Sequence, residues 1–333
     1  MSDQSAIQDV ERAIWGQDPG ALLRLPPIPP ESWPGSVQQD CRAFGLNAPL
    51  QHPAAALPAN PGIAVVMMVK DEADIIGHNL AWLHFIGVRR FVISDNGSAD
   101  GTGAAIEAFR TRHDEAEVVV IADPLVSYVQ SLKTTGMLRY ALSIWPDLRW
   151  VFPLDADEFL IPSQGFGVLD GLPGSVEVIT IPKVIHFRHR LGGEADTGSP
   201  LGAMALRSPL FCVPPKCACR AGLHLTITGG NHHIRRMDGH TPGHRGGLSL
   251  GFYYREFQTR SFEHFLTKVR NGGKAILAAK AEGRVEGGEH WLRWFDVLQA
   301  QGEAGLRATY EGECVRGADP NFVLDPFHGV AGA

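Results

Sequence analysis

The chain has 333 residues, room for one large domain or two ordinary ones, and its 44% apolar and 20% charged residues are those of a soluble globular protein. A formal charge of −6 argues against a nucleic-acid-binding surface, and no run approaches the roughly 18 uninterrupted apolar residues of a membrane span. Five cysteines, in a chain opening on acidic MSDQSAIQDVERAIWG without a signal peptide's basic and apolar regions, point to reduced thiols and a cytoplasmic location.

Residues 1 to 60, with LRLPPIPPESWPG and APLQHPAAALPANPG, read as a proline-rich N-terminal extension. The texture changes at Gly62. IAVVMMV, Ile63 to Val69, is a continuous apolar run of strand length, the pattern of a strand covered on both faces. Ile75, Ile76, Asn79, Leu80, Leu83 and Ile86 then fall at mostly helical spacing, and Gly87 stops that helix. RFVIS is a second strand and DNGSADGT a turn, with Asp100 or Thr102 capping a helix marked by Ile106 and Phe109. EVVVIA is a third strand, a helix covers about Tyr128 to Ile144, and WVFPL is a fourth strand. Strands recurring about every thirty residues with helices between them predict βαβ units, hence an α/β fold with a mostly parallel sheet flanked by helices.

Beyond Pro162 the pattern loosens. SVEVITIPKVIHFRHR reads as one or two strands, followed by a glycine-rich stretch, a histidine cluster and LSLGFYYREF. SFEHFLTKVRNGGKAI and EHWLRWFDVLQA have helical periodicity, and the tail with DPNFVLDP is irregular. Residues 61–162 therefore form the expected α/β half and 163–333 a second half. CVPPKCAC lacks a second C-x-x-C at zinc-site spacing, so core packing or a loop is expected there.

In open α/β sheets ligands bind at the carboxyl ends of the strands. Those ends carry Lys70-Asp71-Glu72, Asp95-Asn96-Gly97-Ser98 and Asp155-Ala156-Asp157-Glu158. Three carboxylates within four positions repel, so an arginine or lysine, a shared proton or a metal ion is expected among them. Asp155 and Asp157, two apart on an extended chain, would point the same way and offer hard oxygens to Mg²⁺ or Mn²⁺, which take substrate phosphates as further ligands. Asp95 would accept hydrogen bonds from a base or ribose. The helix dipole accounts for an acid at Glu72 or Asp74, but not for Lys70, Asp71 and Glu72 together.

His232, His233, His240 and His244, with Asp238 among them, suggest as an alternative a metal-dependent phosphoesterase or hydrolase, although H-E-x-x-H is missing and glycines and Pro242 break any helix. One of these histidines is equally a candidate extra ligand to the Asp155/Asp157 metal. Lys268, Arg270 and Lys274 read as a solvated helix face, and Trp291 and Trp294 as core.

VVMMVKDEADIIGHNLAWLHFIGVRRFVISDNGSADGT followed by RWVFPLDADEFLIP resembles the family 2-type glycosyltransferases, in the branch with K/N-E, DN-S-DGT and D-DEF motifs; RSFEHFLTKVRNGG resembles a late segment of that branch. The resemblance covers residues 62–162 well and 216–275 loosely. It implies a GT-A fold with an acceptor-side C-terminal extension, a nucleotide-diphospho-sugar donor (UDP by family frequency), a carbohydrate-bearing acceptor on a saccharide, lipid or protein, and Mn²⁺ or Mg²⁺. By position it implies that Glu72 and Asp95, with Lys70, Asn96 and Ser98 of the same motifs, serve the nucleotide. Asp155 and Asp157 would hold metal and diphosphate, with His233 or His232 completing the metal site. Glu158 would orient Asp157 or touch the sugar, and Asp238 or Glu256 would be the general base of an inverting reaction. The chain departs from better-known members in lacking an ED base and a QxxRW segment. The resemblance leaves the stereochemistry open.

Overall fold

A computed structural model describes residues 50, 52–127, 129–189, 200–208, 211–283, 288–316 and 322–330. Most of the expected N-terminal extension, Cys41 and Tyr128 lie outside these. Four parallel strands form the first part of the sheet: β1 (Ile63–Val69), β2 (Arg90–Asp95), β3 (Glu117–Ala122) and β4 (Trp150–Pro153). The connecting helices are α1 (Ile76–Phe85), α2 (Thr102–Arg112) and α3 (Gln130–Ile144). The strands lie in the order β3-β2-β1-β4, all parallel to their neighbours. The chain thus winds one way from β1 to β3 and then returns to the other side of β1. That reversal opens a crevice at the carboxyl ends of β1 and β4, the usual ligand position in such sheets.

The apolar run of β1 is buried on both faces, as its continuity predicts. Val65, Met67 and Val69 pack with Leu80 and Leu83 of α1, whereas Ala64 and Val66 pack with Met137, Leu138 and Ala141 of α3. Gly87, after α1, has φ 98°, and a Cβ there would stand 2.3 Å from the Pro58 carbonyl oxygen; only glycine fits both demands.

The second half extends this sheet. β5 (Glu158–Pro162), β6 (Val178–His189), β7 (Leu206–Arg207), β8 (Cys212–Arg220), β11 (His244–Gly246), β12 (Phe252–Glu256), β13 (Val315–Arg316) and β14 (Val323–Leu324) join it, while β9 (Leu225–Ile227) and β10 (Ile234–Arg236) form a separate hairpin. β8 lies antiparallel between β4 and β6, and β12 runs antiparallel to β5 and parallel to β6. The central sheet is therefore parallel at one side and mixed at the other. The boundary expected at residue 162 falls within this shared sheet. A short helix α4 (Pro200–Ala203) precedes β7, and α5 (Phe262–Ala281) and α6 (Glu289–Glu313) pack through Phe265, Val269, Trp294, Leu306 and Tyr310. Ser261 caps α5 by accepting from the His264 N–H, and Gly302 breaks α6 with φ 68° and ψ −168°. Trp294 is core as expected, with Trp291 partly buried beside it. CVPPKCAC is strand β8, where Cys217 and Cys219 are buried; burial pushes the Cys217 thiol up to about 12. No helix of the described residues is long and apolar enough to cross a membrane.

Candidate active site

The strand-end segments knit into one rim. The Lys70 ammonium donates to the carbonyls of Asn96 and Gly97 at 2.7 and 3.0 Å, the Asp71 N–H donates to Ser98 Oγ at 3.0 Å, and the Glu72 N–H donates to Thr102 Oγ1 at 2.8 Å. Asp71 holds a left-handed backbone, φ 52°, while its carboxylate accepts from the Ala99 N–H and from Asn271 on α5. Asp95 Oδ1 accepts the Ser98 N–H at 2.8 Å, and the Asn96 amide donates to the Asp123 carboxylate and the Leu125 carbonyl. Lys70, Asn96 and Ser98 thus bind the loops to each other, and Asp95 sits partly exposed at the turn they frame. Glu72 and Asp74 precede α1 rather than occupying its first turn. Asp100 caps α2 from two residues ahead, its Oδ1 accepting the Thr102 N–H at 2.8 Å.

The acids after β4 divide between two clusters. Asp155 Oδ2 pairs with Lys216 at 2.9 Å, its Oδ1 accepts from Gln130 at 3.1 Å, and Lys216 also stands 2.8 Å from Glu158. Asp157 instead pairs with Lys268 at 2.6 Å, and Lys268 also reaches Glu72 at 2.9 Å. Arg260 completes this second cluster against Glu72 and Asp74, with His264 alongside. The expected parallel presentation of Asp155 and Asp157 is not what the chain does: residues 156 and 157 form a turn between β4 and β5, so the side chains diverge. Their side-chain exposures are 34% and 6%, and Glu158 is wholly buried. Asp155 alone of the three is open to a ligand. Lys268 likewise departs from its expected solvated face, lying on the buried side of α5, whereas Arg270 and Lys274 are exposed as expected.

Electrostatics follow this geometry. Burial would raise Glu72, but Lys268 and Arg260 outweigh it and hold the carboxyl well below its ordinary value; Asp157 is lowered through the same contest. Glu158 goes the other way. Burial pushes it up to about 8, Lys216 opposes this, and Asp155 adds to the rise. Buried lysines, an arginine and a raised carboxyl together relieve the repulsion that the sequence poses.

The donor set at Asp155 suits a hard divalent cation. Asn231 lies buried with φ 58°, its amide nitrogen 3.5 Å from Asp155 Oδ1, and its Oδ1 has no hydrogen-bond partner among the described residues. Exchanging the two ends of the Asn231 amide would set that unsatisfied oxygen beside the partly exposed Asp155 carboxylate, the oxygen pair such an ion takes. His232 donates from Nδ1 to the Pro215 carbonyl at 2.8 Å, leaving the Nε2 lone pair free in its neutral form; burial, Lys216 and Lys183 push its pKa down to about 2. His233 faces Arg235 and His244, so of the two histidines expected as candidates it is His232 that lies on the Lys216 side. Asp157, already held by Lys268, does not join this set.

Of the two candidate bases, Glu256 lies at the rim, opposite Glu158 across β12 and β5 and paired to Lys183 at 2.9 Å, with Oε2 unpartnered among the described residues. Asp238 does not. It pairs with Arg236, which also binds Glu177; Glu177 accepts from the Arg220 N–H, and Arg220 is registered with Trp150, the first residue of β4. That is the end of the strand away from Asp155. The histidine cluster is dispersed too, with His240 on an exposed turn and His244 in β11, so among the described residues it supplies no three-ligand group for a hydrolase.

The residues missed in the sequence are Lys216, Arg260, Gln130 and Asn231. Lys216 carried a faint signal, as the charged residue within the otherwise uncharged CVPPKCAC. The others sit in ordinary helix-start and loop contexts whose partners lie far along the chain. No protein-family model matches the sequence, and no curated protein matches it. Among solved structures, the chain is similar to the mannosyltransferase PcManGT from Pyrobaculum calidifontis in complex with GDP-Man and Mn²⁺, at 14% identity over 81% of each chain with a TM-score of 0.38. It is also similar to glucosyl-3-phosphoglycerate synthase from Mycobacterium tuberculosis in complex with Mg²⁺ and uridine diphosphate, at 15% identity and a TM-score of 0.25. There 51% of this chain aligns, spanning 64% of the synthase, just under two thirds of its length.

Proposed function

We propose that the protein is a divalent-metal-dependent glycosyltransferase of GT-A type, moving a sugar from a nucleotide-diphosphate donor, UDP-linked in the first instance, to a carbohydrate-bearing acceptor. One observation carries the reading: at the crevice between β1 and β4, a partly exposed Asp155 meets the side-chain amide of buried Asn231, whose Oδ1 has no partner among the described residues. In this reading Asp155, Asn231 and His232 hold Mn²⁺ or Mg²⁺, which supplies Lewis-acid stabilisation of the leaving diphosphate. Asp95 receives the nucleoside at the turn framed by Lys70 and Ser98. Lys216 orients Asp155 through their 2.9 Å contact, and Glu158 fixes the turn by accepting the Asp155 N–H at 3.0 Å. Glu256 is the carboxylate we assign as base toward the acceptor hydroxyl, and the second half from residue 163 as the acceptor side. A cytoplasmic location is part of the proposal, supported by four free thiols among the described residues.

The test is calorimetric titration of UDP and of GDP, each with and without Mn²⁺, into wild type and Asp155→Asn. Binding of one nucleotide that needs the metal and weakens tenfold or more in the variant, about 1.4 kcal/mol, is the expected result. Equal binding without metal and in the variant overturns the metal assignment, and no binding of either nucleotide overturns the donor class.

A further inference from the structure

At the opposite end of the sheet, three side chains that the proposed reaction does not use meet on the surface. His84 lies in the last turn of α1, His113 directly follows α2, and Glu115 lies in the turn entering β3. Helices in βαβ units deliver the chain to the amino ends of the next strands, so this group is separated from the rim by the length of the strands. His84 Nε2 and His113 Nδ1 both face the same oxygen, Glu115 Oε1, at 2.5 and 3.9 Å. The two imidazole rings stand 4.1 Å apart between centroids, and the three ligand atoms lie within 4.8 Å of one another.

We propose that His84, His113 and Glu115 form a binding site for a borderline transition-metal ion, Zn²⁺ in the first place, with its fourth position open to water. Two imidazole nitrogens and one carboxylate oxygen are a three-residue set that zinc accepts, and the mixed nitrogen and oxygen donors disfavour Mg²⁺ and Ca²⁺. Bonds of about 2.0–2.2 Å in a tetrahedral set place ligand atoms about 3.4 Å apart, so the hydrogen-bonded His84 Nε2 and Glu115 Oε1 must part and His113 Nδ1 must draw in, each by about an ångström or less. Phe109 backs both rings, with centroids 4.8 Å from His113 and 6.1 Å from His84, and itself packs edge-on to Phe91 in the core. The rings therefore rest on a fixed wall. The charges suit a cation as well. Glu115 brings the one acidic group of the set, and the two histidines bring nitrogen donors that carry no charge as ligands. Arg89, the nearby positive group, donates to the His84 and Val88 carbonyls at 2.6 and 2.9 Å. The Glu72, Asp74 and His264 group offers a similar count of ligand atoms, but Arg260 and Lys268 already occupy it.

Such an ion ties the end of α1 to the start of β3 and acts on stability rather than on chemistry at the rim. Zn²⁺ is titrated calorimetrically into the metal-stripped full chain as wild type, Asp155→Asn and the double variant His113→Ala, Glu115→Gln. The expected result is one zinc site retained in Asp155→Asn and weakened tenfold or more in the double variant. With Asp155→Asn removing the rim site, Zn²⁺ should raise the thermal midpoint of that variant and leave unmoved that of the same variant carrying His113→Ala and Glu115→Gln as well, the two proteins melting alike without metal. Equal zinc affinity and stoichiometry in wild type and double variant overturn the proposal. So does loss of the zinc site in Asp155→Asn alone.

Discussion

Asn79 joins the scaffold to the acidic turn. It sits fully buried in α1, and its amide donates to the carbonyls of Ala156 and Glu158 at 2.7 and 3.0 Å. Trp82, one turn on, donates from its indole N–H to the Leu160 carbonyl at 2.7 Å. Two side chains of one helix thus fix the backbone that presents Asp155. Asn79→Ala leaves two buried carbonyls without donors, at about 1–3 kcal/mol; denaturant unfolding should show this loss. The same variant should weaken metal-dependent nucleotide binding, because the turn carrying Asp155 is no longer held. In the sequence, Asn79 was legible as a helix position but not as the tether of a turn far along the chain. Periodicity reports which face a side chain is on, and nothing about the group it meets there.

Among the elements, α5 shows both the reach and the limit of pattern reading. Phe262, Phe265, Leu266 and Val269 announce a helix, and the structure has one. Lys268 looked solvated because a charge beside an apolar stripe usually is. Here the stripe packs against α6, while an adjacent face of the helix meets an acidic rim, so the ammonium is buried between Glu72 and Asp157. Lys268→Met removes that partner from two buried carboxylates. A loss of about 3–5 kcal/mol is expected, measured by urea denaturation near neutral pH and shrinking in acid as Glu72 and Asp157 protonate. A truly solvated lysine would give almost no change. The parallel strands were legible for the converse reason: β1 to β4 are apolar on both faces, and their glycine and polar boundaries are local. The antiparallel strands β8 and β12 were harder, because their pairing with β4 and β5 depends on residues far away in sequence.

For the whole molecule, the two acidic clusters set opposite pH dependences. Glu72 and Asp157 titrate lower in the fold than in the unfolded chain, so their contribution is present above the ordinary carboxylate range and is lost as pH falls through their depressed values. Glu158 is raised from 4.5 to about 8, so the fold binds its proton more tightly, and the stability it confers below pH 4.5 is lost as pH rises toward 8. Stability measured by denaturant at several pH values should therefore fall, relative to Glu158→Gln, between about pH 5 and pH 8. A difference between the two proteins that stays flat across this range would show that Glu158 ionises normally.

The placement of the basic partners also has a temporal side. Asp155 and Glu158 leave the ribosome well before Lys216, and Glu72 long before Arg260 and Lys268. Until the later segments arrive, the nascent α/β half carries its cluster of negative charge without the cations that relieve it, and β4 lacks its β8 neighbour. The rim can therefore close only after synthesis has passed α5, which couples assembly of the candidate site to completion of almost the entire fold.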